Sequence, residues 1–74
     1  MAITAAALQT ELGANPMSPT VVMQFGGEGG ASQYWLVTGG ATYPGRVVKV
    51  VTTAADAAAD QATTVLAALL AGPA

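Results

Sequence analysis

Two basic and four acidic residues are the only charged groups in this 74-residue chain, which has neither histidine nor cysteine. A soluble domain ordinarily carries charge on about a quarter of its residues. Here the share is 8%, while 53% of the residues are apolar. A free monomer with so little charge lacks much of the repulsion that keeps small proteins apart in solution. Its surface is therefore expected to be covered in large part by neighbouring subunits. The same shortage removes most catalytic chemistry.

The length allows one small domain. Seventeen of the apolar residues are alanine, so few large side chains remain to build a core. A core of that size is marginal unless disulfides, a metal or oligomerisation supports it. Disulfides need cysteine, and structural zinc or iron sites need the thiolate and imidazole ligands that are missing. Neither metal nor cofactor is expected, and oligomerisation is what remains.

A net charge of −2 gives no electrostatic reason to expect nucleic acid or an anionic membrane as partner. Arg46 and Lys49 are three apart in a β-rich run, so a regular strand points them to opposite faces. Residues 1–10 carry no basic group ahead of their apolar positions, unlike a secretory signal. The apolar run at residues 65–71 is far shorter than the roughly 20 residues that span a bilayer. A soluble protein made in a cytoplasm is the expectation.

Along the chain, Thr4 is a fitting N-cap for a helix over residues 4–12, with Ile3 and Leu8 spaced as a hydrophobic staple and Gly13 as the stop. Asn15, Pro16 and Pro19 hold the connection in extended or turn geometry. Three strands follow, over residues 20–25, 32–38 and 46–52, rich in β-branched and aromatic side chains. In the first, alternation sets Val21, Met23 and Phe25 against Thr20, Val22 and Gln24. In the second it sets Gln33, Trp35 and Val37 against Tyr34, Leu36 and Thr38. Glycine-rich connections make the three strands an antiparallel meander. Thr53 to Asp56 reads as a capping box opening a helix over residues 54–71, closed by Gly72 and Pro73. Ala55, Ala58, Ala62, Val65, Leu66 and Leu69 form its apolar stripe, and Leu70 falls beyond the edge, partly exposed. The expected fold is one α+β domain with helices on one face of the sheet. Both strand faces carry large apolar groups, and two helices cover only one of them. The uncovered face would be an interaction patch.

Hidden chemistry is scarce. The loop of residues 26–30 fits neither GxGxxG nor GxxxxGK[ST], and Glu28 at its tip would repel a phosphate, so it reads as a flexible hairpin. Asp56 and Asp60, four apart, could contribute to a calcium or magnesium site. Their ordinary reading is helix capping and attraction to the positive helix start. Ser18 and Ser32 have no histidine to activate them. Tyr34, Trp35, Phe25 and Tyr43 could form an aromatic platform, but the positive groove of a single-strand binder is missing. An aromatic contact between subunits fits better. The candidate contact residues are Phe25, Tyr34, Trp35, Leu36 and Leu70, and no enzymatic activity is expected.

The opening Met1-Ala2-Ile3-Thr4-Ala5-Ala6-Ala7-Leu8, the glycine-punctuated valine strands and the alanine-rich helix of residues 54–71 resemble small structural proteins of tailed bacteriophages. The resemblance covers the whole chain in general character and carries over no functional residue. It implies a virion component, such as a head decoration or cement protein or another minor structural protein. Such a protein would be assembled in the host cytoplasm and would bind copies of itself or a major capsid protein. The competing class is a small cellular homo-oligomeric binding module with an apolar ligand or protein-binding face, the ligand pocket lying between sheet and helices.

Overall fold

The computed structural model describes residues 2–14, 18–40 and 44–72, in the order helix, three strands, helix. Helix α1 spans Ala5–Gly13. Thr4 caps it as anticipated: its hydroxyl accepts the Ala7 amide at 3.1 Å, satisfying a donor that the helix start leaves without a partner. Ile3 packs against the core that Leu8 and Leu12 enter.

Strands β1 (Thr20–Gly26), β2 (Ser32–Thr38) and β3 (Val47–Thr53) form one antiparallel sheet with β2 in the centre. β2 and β3 pair without interruption from Ser32↔Thr53 to Thr38↔Val47. The β1–β2 register shifts twice, between Val21 and Met23 and between Gln24 and Gly26. Val22 and Phe25 are thus extra residues, each sharing one β2 partner with its neighbour. Strict alternation along β1 therefore fails. Val21 and Gln24 turn inward opposite Val37 and Trp35, whereas Val22, Met23 and Phe25 turn outward.

Helix α2 spans Ala58–Ala71, four residues later than the capping box indicates. The sheet takes Thr53 instead, pairing it with Ser32, and the Ala54 amide extends the ladder to the Ala31 carbonyl at 2.9 Å. A turn follows, closed by the Asp56 amide on the Thr53 carbonyl, and α2 starts after Ala57 without a side-chain cap. Ladder bonds together outweigh the roughly 1 kcal/mol that one cap contributes. Asp60, not Asp56, occupies the first turn, where its carboxylate meets the positive helix end. At the other end Gly72 adopts φ 89° and donates to the Ala68 and Leu69 carbonyls. Pro73 lies outside the described residues. Arg46 Nη1 donates to the Leu69 carbonyl at 2.8 Å, a cation at the negative end of α2.

Both helices pack on one face of the sheet. Leu8 and Leu12 of α1, Ala62, Val65 and Leu69 of α2, and Trp35, Val37, Val48 and Val50 of the sheet make the core. The architecture is α+β, as the sequence indicates.

Three glutamines fasten the layers. Gln9 accepts the Val21 amide at 2.7 Å and donates to the Pro19 carbonyl at 3.1 Å, tying α1 to the outer edge of β1. Gln33 pairs with both backbone groups of Ile3, at 3.1 and 2.7 Å. Gln61 donates to the Asp56 carbonyl and accepts the Thr52 hydroxyl, which itself accepts the Trp35 indole N–H at 2.9 Å. A side-chain amide has a donor and an acceptor, so it pairs with backbone as a strand would. Being neutral, it also avoids the cost of desolvating an ion.

Candidate functional site: the outer face of the sheet

The second sheet face has no layer over it among the described residues. Val22, Met23 and Phe25 of β1, Tyr34 of β2, and Val47 and Val51 of β3 lie on it, each between 39% and 52% exposed. Leu36 sits half-buried among them, and Lys49 is the one charged side chain on this face among the described residues. The four acids lie elsewhere: Glu11 on α1, Glu28 in the first hairpin, Asp56 before α2 and Asp60 on it.

Two features of the sequence create this surface. Alternation alone directs Tyr34, Leu36, Val47, Lys49 and Val51 outward. The two bulges then add side chains that a regular strand would not supply, because each sets two consecutive residues opposite one. Val22 and Met23 thus face Leu36, and Phe25 and Gly26 face Tyr34. The Phe25 and Tyr34 rings lie 5.8 Å apart and tilted by 53°, within the range of favourable aromatic pairs. Gly26 gives the Tyr34 ring its floor, since a Cβ there would sit 3.4 Å from the ring edge.

The structure brings together three of the contact candidates, Phe25, Tyr34 and Leu36. It removes a fourth. Trp35 is wholly buried under the helices with its indole bonded to Thr52, so it is a core residue and not a surface contact. Its neighbour Tyr34 points the other way because consecutive strand residues do. Leu70 is 61% exposed as expected, but it stands on α2, which packs against the opposite sheet face. Val22, Met23, Val47 and Val51 belong to the surface and were not among the sequence candidates. The i, i+4 spacing of Val47 and Val51 on β3 was the available signal for that pair. Tyr43 lies outside the described residues.

Elsewhere the chemistry stays sparse. Among the described residues no three metal-ligating side chains cluster, and no helix is long and apolar enough to cross a membrane. The loop of residues 26–30 forms a turn, closed by the Gly30 amide on the Gly27 carbonyl at 3.0 Å. The space between sheet and helices, considered above for a ligand pocket, is filled by Trp35, Leu8, Leu12, Val65 and Leu69. An open groove of about 340 Å³ lies beside the start of α1, lined in part by Thr4, Gln24, Glu28 and Gln33. The Thr4 hydroxyl already accepts the Ala7 amide, and Gln33 already pairs with the Ile3 backbone. The outer face is the chemically distinctive surface. Comparison with protein-family models, curated proteins and solved structures finds no match to this chain.

Proposed function

We propose that this chain is a non-enzymatic structural subunit that docks through the outer face of its sheet onto protein in a larger assembly. The observation that carries this reading is an apolar centre on the outer face, bearing a single charge, Lys49, with Thr20, Thr38, Ser32 and Thr53 toward its ends. Three strands of seven residues make a face roughly 14 by 23 Å, on the order of 300 Å² in projection and larger in accessible surface. Monomeric proteins rarely leave apolar patches beyond a few hundred Å² uncovered. Interface centres are depleted of charge and enriched in aromatic residues and methionine, and Phe25, Tyr34 and Met23 supply these. The Lys49 stem adds apolar cover while its ammonium reaches the rim.

With the resemblance described above, the assembly is a tailed-bacteriophage particle and the chain a head decoration, cement or other minor structural protein. Its partner is a major capsid protein or further copies of itself, and bound copies stabilise the shell by mass action. Tyr34→Lys tests the face without entering the core. Co-expressed with its neighbouring genes, the variant should keep the near-UV signal of Trp35 yet lose at least about tenfold in affinity for the particle, the effect of about 1.4 kcal/mol, seen as reduced occupancy. A folded variant that co-purifies with particles at the wild-type ratio would overturn the assignment.

A further inference from the structure

The two edges of the sheet are treated differently. β1 is bulged twice, and Gln9 occupies the Val21 amide and the Pro19 carbonyl on its outer side. Bulges and side-chain cover are two ways of keeping an edge from recruiting another strand. β3 has neither. It runs seven residues in unbroken register, and its backbone polarity follows from the bonds at its two ends. Gly39 donates to Arg46, and Ala54 donates to Ala31. Bonded positions alternate in an antiparallel ladder, so Val48, Val50 and Thr52 bond toward β2. Val47, Lys49, Val51 and Thr53 direct their amides and carbonyls away from the sheet. Among the described residues, none of these outward amides has a partner.

From this geometry we infer that β3 pairs antiparallel with β3 of a second copy, across a two-fold axis at Val50. The strand is self-complementary in that register. Its outward-facing residues lie symmetrically about Val50, so Val47 pairs with Thr53 and Lys49 with Val51, twice each; the Thr53 carbonyl, which already accepts the Asp56 amide in its own chain, takes the Val47 amide as a second donor. Lys49 faces Val51 rather than its own copy, avoiding the like-charge opposition that a register centred one residue earlier would impose. The exposed part of α2 is mostly alanine and threonine, at Ala59, Thr63, Thr64, Ala67 and Ala71, with Asp60 and Leu70 as its two larger side chains. Pairing fuses two sheets into one of six strands and joins their outer faces into an apolar surface about twice as large. The inference concerns a different surface from the docking face and stands without it.

Hydrogen exchange on the wild-type chain tests it directly. The amides of Val47, Lys49, Val51 and Thr53 should be protected with a dependence on protein concentration, alongside a dimer in sedimentation. Amides of Val48, Val50 and Thr52 are protected in either case and report folding. Val51→Pro removes an outward N–H without breaking the β2 ladder, and should yield a folded monomer. Val51→Ala removes the same side chain, keeps the N–H and should remain dimeric. A wild-type monomer at millimolar concentration, or outward amides that exchange at the unprotected rate in a dimer, would overturn edge pairing. A dimer that persists in folded Val51→Pro would do the same and assign the contact to stacked faces. Particle occupancy of Tyr34→Lys is read independently, so failure of either proposal leaves the other measurable.

Discussion

Gly27 and Gly29 share one turn and nearly one conformation, with φ 82° and 78°, yet they tolerate side chains differently. A Cβ on Gly27 would lie 1.9 Å from the Ser32 carbonyl oxygen and 2.7 Å from Gln33 Cα, whereas one on Gly29 would meet nothing within 4 Å. Gly29→Ala carries the left-handed penalty alone, about 1–2 kcal/mol. Gly27→Ala adds a backbone collision and should cost about 3 kcal/mol or more. Urea midpoints separate the two, and equal losses would show that the turn relaxes freely. The glycine run marks a turn in the sequence without saying which glycine the fold requires. That depends on strand atoms across the hairpin. Trp35 teaches the same lesson. Period two establishes that Tyr34 and Trp35 diverge, but both are aromatic, so nothing local says which of them the helices will cover.

Gln9 joins α1 to an edge strand through two backbone groups that would otherwise face outward. Gln9→Ala should cost about 1 kcal/mol and speed exchange of the Val21 amide. If that amide already exchanges at the unprotected rate in the wild type, the tie contributes nothing. The start of α1 was legible because its cap is a contact three residues long, from Thr4 to Ala7. The start of α2 was not, because Thr53 is claimed by Ser32, 21 positions earlier in the chain. The β1 bulges were hidden for the same reason. A bulge is a mismatch between two strands, and alternation within one strand does not report it. The buried glutamines likewise read as ordinary polar residues until a backbone partner is brought to them.

Across the molecule, charge is segregated: the acids keep to the helices and loops, and the outer face holds Lys49 alone. Association through that face should therefore respond weakly to ordinary salt. Raising sodium chloride from ~0.05 M to ~0.5 M should change the affinity by less than about threefold, while ammonium sulfate should strengthen it. Steep weakening by sodium chloride would instead place the contact among the acids. The shortage of charge was plain in the sequence, and so was the excess of apolar strand surface over helix to cover it. How densely that surface is furnished was not, since Val22 and Phe25 reach it only through the bulges. Remove those two residues, and every pairing from Thr20↔Thr38 to Gly26↔Tyr34 keeps its partner in plain alternation. The core is indifferent to them. Gaining or losing a single residue in β1 would thus reshape the outer face, a change of length that leaves the packing around Trp35 where it is.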